Sequence, residues 1–395
     1  MNSINVLTEM DEVKKVLSYS KNIGFFFGAG TSCSIGLPDI LTLTFEVEKK
    51  LADDNKKYFS NLKISLEKLL AKSDISVEEV LNYIRQIREI TGGKKDRVYD
   101  DIDGESAIKL DQEICTAIFK IIKEYEEKAD YTILRKFFAW LDLLSFNCSK
   151  EIFTTNYDLL LEKAMEVNYI PYFDGFVGAY EPFFWPDSIE KFVLQNDLTF
   201  NWIRLWKIHG SLNWAWKENA ITKDSKIVRT SKIDSPENEL VIYPSREKYS
   251  LSRKQPFIAY FDRLRNYLLR AEVFFIMTGY SFLDQHINEV VFNCLRQNPR
   301  LYIIVFCFTD TQVTMLEEYG KSYLNFCVMG PKTLIINGQK SIWAFDDKTG
   351  TIEKSELFWN KTSEQFLLGN FIKLVEFLIS NSGKSRIVED IIRGK

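Results

Sequence analysis

The sequence predicts an α/β protein, a Rossmann-like parallel sheet with helices on both faces, carrying a large helical insertion and a small carboxyl-terminal extension. Three observations carry that prediction. Short runs such as "IGFFF" at Ile23–Phe27 and "LYIIVFC" at Leu301–Cys307 are apolar at every position, as strands buried on both faces are. These runs alternate with amphipathic helical periods, which calls for parallel strands joined by crossover helices. The first run stops dead at "GAGTSC", where Gly28 and Gly30 let the backbone turn sharply with nothing protruding from it.

Taken in order, the first strand, its glycine turn and a following helix put free backbone N–H groups and a positive helix end at one point. Many α/β proteins hold a pyrophosphate this way. The match to the dinucleotide pattern GxGxxG is incomplete, because Cys33 stands where the third glycine belongs. Residues 41–148 then read as a helical insertion. Its clearest helix is "SVEEVLNYIRQIREITGG": Ser76 and Glu79 make a capping box, Val77, Val80, Leu81, Ile84 and Ile87 share one face, and Gly92 and Gly93 end it. Further helical periods run through "AIKLDQEICTAIFKIIKEY" and "YTILRKFFAWLDLL", and the polar segment "GGKKDRVYDDIDGES" reads as a mobile loop. The insertion's charges read as a solvated face, with partner binding as the alternative.

The alternation resumes at "KEIFTTNYDLLLEKAM", with Ile152–Thr154 as strand and Leu159–Val167 as helix. "WIRLWKIHGSLNW" reads as one strand ending in a polar turn, "ELVIYPS" as another strand, and "PFIAYFDRLRNYLLRAE" as a helix. "VFFIMTGYSFLDQHINEVVFNCL" is a buried strand, a turn and a helix. These readings divide the chain into a domain over 1–330 that contains the insertion, and an extension over 331–395 expected to serve packing or oligomerisation. That extension has strand-like pieces and an amphipathic helix around "FLLGNFIKLVEFLI", and no evident chemistry.

Composition narrows the function classes. The chain has 395 residues, 46% hydrophobic and 14% aromatic, ample for a large core. A net charge of -4 supplies no overall basic field, so no direct nucleic-acid binding is expected. The six cysteines, at 33, 115, 148, 294, 307 and 327, form no CxxC pair and lie mostly in apolar runs, which fits reduced core thiols and argues against a zinc site or disulfides. The amino terminus has no basic start followed by an apolar stretch, and no run approaches the ~18 apolar residues of a membrane span. The expectation is a soluble cytoplasmic protein with no metal and no membrane partner.

In a doubly wound sheet, ligands sit beyond the carboxyl ends of the strands. Polar residues follow buried strands at four places: Gly28–Asp39, Thr154–Asp158, His209–Asn213 and Gly279–Asn288. Each alone has a plain reading. Asn156 and Asp158 could cap the next helix, His209 and Gly210 could be a strand-ending turn, Gly279 and Ser281 a simple turn, and Asp284 another cap. His286 reads as a helix-surface residue, and Trp202, Trp206, Trp214 and Trp216 as core and pocket wall. Four such places on one sheet edge point to a site.

Together they resemble a family. "GAGTSCSIGLPD" resembles the sirtuin signature, "TTNYD" its TQNID element and "KIHGSL" its His-Gly catalytic turn. "TGYSFLDQHIN" is similar to the nucleotide-binding segment in the form typical of sirtuin-like proteins of bacterial antiphage defence. The blocks occur in family order between residues 22 and about 310. The departures are informative: the two CxxC pairs of the sirtuin zinc module are absent, Ile40 and Leu41 replace the usual Phe-Arg, and Thr155 and Tyr157 stand in the TQNID element.

The resemblance implies an NAD+-binding catalytic domain that hydrolyses NAD+, as a triggered, NAD-depleting effector of defence. NAD+ is then the substrate, and no metal is implied. A non-catalytic sensor of NAD+ or ADP-ribose, or a zinc-less protein deacylase, are the alternatives. By the same resemblance Asn156 positions the water or the nicotinamide carboxamide, His209 is the base, and Asp158 binds substrate or offsets developing positive charge. Gly28, Ala29, Gly30, Thr31 and Ser32 would line the pyrophosphate, and Pro38 and Asp39 would shape the flap over the nicotinamide. Gly279 and Ser281 would face the adenosine half, with Asp284 and Asn288 binding ribose hydroxyls or simply capping and packing. Homo-oligomer assembly, or a partner such as a HerA-type hexameric ATPase or another phage-sensing protein, is expected to trigger the site.

Overall fold

The computed structural model describes residues 2–20, 22–144, 150–189, 202–218, 225–230, 240–242, 255–346 and 355–394. Its main sheet runs, from edge to edge, Asn2–Asn5, Gln339–Ala344, Thr333–Ile336, Phe326–Met329, Leu301–Phe306, Val273–Thr278, Ile23–Phe27, Lys150–Thr154, Ile203–Lys207 and Tyr172–Phe173. From Phe326–Met329 to Tyr172–Phe173 every pairing is parallel. The fold is therefore mixed α/β with a parallel-dominated sheet flanked by helices, as the apolar runs predict. Ile23–Phe27 lies between Val273–Thr278 and Lys150–Thr154, so the chain order reverses beside it, and this is where such sheets open a crevice.

Alternate strand positions feed two core layers. Phe25, Phe27, Ile152, Leu205, Ile276 and Ile304 pack into one, together with the insertion helices. Phe26, Phe153, Trp206, Phe275, Met277 and Ile303 pack into the other. Gly24 belongs to that second face, and a Cβ there would stand 2.5 Å from the Tyr267 ring and 2.8 Å from Phe275.

The insertion is helical at Ile40–Lys50, Asp53–Leu70, Val77–Thr91, Gly104–Lys128 and Thr132–Asp142. The capping box forms: Ser76 Oγ accepts from the Glu79 amide at 3.3 Å, and Glu79 Oε2 accepts from the Ser76 amide at 2.8 Å. Val77, Val80, Leu81, Ile84 and Ile87 are all buried. The segment read as a mobile loop contains a short hairpin, Val98–Tyr99 against Ile102–Asp103.

One feature differs from the sequence reading. "WIRLWKIHGSLNW" is two strands in different sheets: after Ile203–Lys207 the chain turns at Gly210, with φ of 88°, into Gly210–Glu218. That strand joins a second, antiparallel sheet ordered Leu240–Ile242, Gly210–Glu218, Ser225–Arg229, Phe183–Phe184, Phe176–Val177. Of "ELVIYPS" only Leu240–Ile242 lies within the described residues. The segment after 330 supplies two antiparallel strands to the main sheet and a helix, Phe371–Asn381, whose Phe371 ring meets Phe27 and Phe137.

Replacing Gly24 by alanine tests this packing. The new methyl must displace the Tyr267 ring, so Gly24→Ala is expected to lower the unfolding free energy by about 1–3 kcal/mol, read from urea midpoints. An unchanged midpoint would mean that the ring yields freely.

Candidate active site

The site begins where two neighbouring strands end. Phe27 and Thr278 are paired, and the turns that follow them interlock: the Gly28 amide donates to the Thr278 carbonyl at 3.0 Å and the Gly30 amide to the Gly279 carbonyl at 2.9 Å. A Cβ on Gly28 would lie 2.3 Å from the Gly279 carbonyl oxygen, and one on Gly279, whose φ is +66°, 2.5 Å from the Thr31 nitrogen. The glycines are thus required by contact between the two turns. Ala29 and Gly30 stay exposed on the outer side, while Thr31 and Ser32 turn inward and are buried.

Those two hydroxyls orient Asn156. Its loop is fixed to the first strand, since Thr154 Oγ1 donates to the Phe27 carbonyl at 2.9 Å and accepts from the Asn156 amide at 3.0 Å. Asn156 Nδ2 donates to Thr31 Oγ1 and to Ser32 Oγ, both at 2.9 Å. Each hydroxyl passes its own proton on, Thr31 to the Gly28 carbonyl at 2.8 Å and Ser32 to Asp158 Oδ2 at 2.6 Å. Both amide protons are therefore committed. Asn156 Oδ1 is left buried, with no hydrogen-bond partner among the described residues, at a typical cost of ~1–3 kcal/mol. Thr278 Oγ1, beside the same turns, is also buried without a partner among them. An acceptor so fixed is free to receive an N–H or O–H.

Asp158 stands one hydroxyl behind. Its Oδ2 accepts from Ser32 and its Oδ1 from the Leu160 amide at 3.1 Å, so it braces Ser32. Burial pushes its carboxyl up, against the opposing pull of the Lys207 ammonium and the Ser32 hydroxyl. Two residues the sequence reading passed over complete this layer. Lys207, fully buried, donates to the Asp158 carbonyl, to Glu162 Oε1 at 2.8 Å and to Ser211 Oγ at 2.9 Å. Its signal was a lysine ending the strand "IRLWK", two residues before His209. Glu126, on the insertion helix Gly104–Lys128, accepts from the Leu159 amide at 2.6 Å; burial pushes its carboxyl up to about 7 even though that amide opposes the shift.

His209 sits in the turn that links the two sheets. The Ile208 amide donates to the Thr154 carbonyl at 2.8 Å and the Leu212 amide to the Tyr157 carbonyl at 2.9 Å, tying this turn to the Asn156 loop on both sides. The imidazole Nε2 lies 2.8 Å from Asp284 Oδ2. Asp284 Oδ1 meanwhile caps helix Gln285–Gln297, accepting from the His286 amide at 3.0 Å and the Ile287 amide at 3.4 Å. Asn288 has both ends of its amide engaged within the turn, accepting from the Tyr280 hydroxyl at 3.0 Å and donating to the Phe282 carbonyl at 2.8 Å. Ser281 is exposed.

The remaining candidates take local roles. Asp39 is exposed and caps Ile40–Lys50 by accepting from the Thr42 amide at 2.8 Å, which holds its carboxyl below the usual range. Pro38 is half-buried, its carbonyl 3.8 Å from the Cys33 thiol. Burial, and then Asp39 and Asp158, push that thiol up, which disfavours the thiolate. Cys33, Cys115, Cys294, Cys307 and Cys327 are free, and Cys148 lies outside the described residues. Trp206 and Trp214 are core, Trp206 donating its indole N–H to Glu151 at 2.7 Å. Among the described residues no group of three His, Cys, Asp or Glu could hold a metal ion, and no helix is long and apolar enough to cross a membrane.

These contacts close a ring. Asn156 is held by Thr31 and Ser32, their turn interlocks with Gly279, the Gly279 turn leads to Asp284, Asp284 holds His209, and the turn of His209 returns to Thr154. Residues 150–324 match the family model of the SIR2-like domain. That match takes in Asn156, Asp158, His209 and Gly279–Asn288 and leaves the Gly28 turn outside it. No curated protein matches the chain. Among solved structures, the chain is similar to one from work on the mechanism and regulation of Sir2 enzymes, at 13% identity and a TM-score of 0.34 over 75% of this chain and 84% of that one. A second, from work on sirtuin substrate affinity, matches at 12% identity and a TM-score of 0.33 over 75% and 86%.

Glu126 gives this layer a pH signature. A carboxyl raised in the folded state adds stability below its unfolded pKa of 4.5 that is lost as pH rises through about 7. Glu126→Gln keeps an acceptor for the Leu159 amide and removes the titration. Its stability relative to the parent should therefore rise by on the order of 1–3 kcal/mol between those limits, read from denaturant midpoints. A pH-independent difference would contradict the assignment.

Proposed function

We propose that this SIR2-like chain is an NAD+ glycohydrolase, cleaving the nicotinamide–ribose bond to give nicotinamide and ADP-ribose. The observation that carries the reading is the buried, unpartnered Oδ1 of Asn156 on the same ring of contacts as His209. Nicotinamide leaves as a neutral molecule from a cationic one, so the reaction needs no general acid of the kind ordinary glycosidases use. It needs a fixed acceptor to hold a carboxamide N–H or the attacking water, and a base. Asn156 Oδ1 is the acceptor. His209 takes the proton of the water as its oxygen bonds to the anomeric carbon, while the electrons of the broken bond return to the nicotinamide ring nitrogen. The exposed outer side of Ala29 and Gly30 accommodates the pyrophosphate, with Ser281 toward the adenosine half.

A deacylase is disfavoured by the absence of CxxC pairs, which in sirtuins support the peptide cleft. The setting in antiphage defence, with release of activity by self-assembly or by a partner such as a HerA-type ATPase, rests on the sequence resemblance alone and belongs to the same proposal.

Nicotinamide release from NAD+, followed by chromatography with the protein alone and with candidate partners, tests it. His209→Ala and Asn156→Ala should each lower the rate of folded protein by ~10²-fold or more. Binding of NAD+ without release under any condition would make the chain a sensor. Equal release by either variant would remove these residues from the chemistry.

A further inference from the structure

Asp284 makes two commitments with one carboxylate. Oδ1 accepts the His286 and Ile287 amides and caps a thirteen-residue helix, which fixes the direction in which Oδ2 points. Oδ2 lies 2.8 Å from His209 Nε2, and both groups are largely buried, with side-chain exposures of 6% and 16%. The turn that carries Asp284 is itself rigid: Phe282 has a φ of +57°, and Asn288 ties its carbonyl while accepting from the Tyr280 hydroxyl.

A carboxylate only accepts hydrogen bonds, so Nε2 must carry the proton, and in a neutral imidazole the lone pair then sits on Nδ1. The Nε2 contact is the imidazole's only hydrogen bond among the described residues. We propose that Asp284 is the positioning residue of His209, selecting the Nε2–H tautomer and presenting Nδ1 as the atom that takes the proton. A helix cap needs only an acceptor at Oδ1, which serine or asparagine also supplies. The second oxygen, aimed at a histidine 75 positions away in the chain, is what a cap does not require. The part Nδ1 plays in catalysis rests on the hydrolysis reading above, whereas the tautomer does not.

The chain has two histidines, so a nitrogen-15 spectrum of histidine-labelled full-length protein carries two imidazoles, and His286→Gln assigns them. In mildly alkaline buffer His209 of the parent should show a protonated Nε2 and a bare Nδ1. Asp284→Asn, whose amide can donate or accept, should give a mixture of the two forms. Asp284→Ser, which keeps the cap and loses the second oxygen, should release the preference altogether. A parent imidazole protonated on Nδ1, or variants with the parent's spectrum, would overturn the proposal. In the nicotinamide assay both variants should lose ~10- to 100-fold in kcat with little change in KM. A Ser variant that melts with the parent and keeps its kcat would likewise overturn it. A parent that releases no nicotinamide counts against the hydrolysis reading, and the spectrum then decides the role of Asp284 by itself.

Discussion

The interlock of the Gly28–Gly30 turn with the Gly279 turn is the constraint on which the candidate site depends. Two amide-to-carbonyl bonds and a separation that admits no Cβ at Gly28 or Gly279 fix the carboxyl ends of two adjacent parallel strands against each other. Thr31 and Ser32 take their direction from that contact, and they in turn set the rotamer of Asn156. On the other side the same contact sets the start of the turn that ends in Asp284. Residues more than a hundred positions apart thereby share one reference point. A site assembled from four strand ends is only as well defined as the joints between them.

Much of the sheet was legible because buried parallel strands leave a plain signal. "IGFFF" and "LYIIVFC" have no solvent face, and each lies where its pattern puts it. The capping box at Ser76 was equally direct. What escaped is tertiary. Pattern alone could not tell that the chain changes sheets at His209, because Ile203–Lys207 and Gly210–Glu218 both carry leucine and tryptophan among polar residues and meet in a two-residue turn. The short strand-like pieces after 330 can be picked out in the sequence, but not that they pair in register with the main sheet.

The site was half legible for a related reason. Strand-end polar residues could be picked out, and the structure gathers Thr31, Ser32, Asn156, Asp158, His209 and Asp284 into one ring of contacts. Their division of labour depends on which proton goes where. For Asn288 the sequence leaves ribose binding and packing equally open, and for Asp158 it offers substrate contact or charge compensation; in the structure every polar atom of both side chains has a partner within the protein. Lys207 and Glu126 went unmarked because a strand-ending lysine and a glutamate on a long helix are ordinary in sequence. Only burial beside Asp158 sets them apart.

That burial has a chemical sense under the proposed reaction. Asp158, Glu162 and Glu126 gather around the single Lys207 ammonium, and burial pushes the carboxyls of Asp158 and Glu126 upward, so the arrangement costs stability. The cationic nicotinamide ring of the proposed substrate would offset such an excess of negative charge. Placing a carboxylate directly against the sugar would invite it to bond to the anomeric carbon, as the nucleophile of a retaining glycosidase does. Here the carboxylate acts through Ser32, and a neutral amide holds the front position. Under the proposed reaction, negative potential would lie near the developing cation while the attacking oxygen is left to water, and the same hydroxyl that accepts from the amide and donates to the carboxylate would orient the amide that receives the ligand.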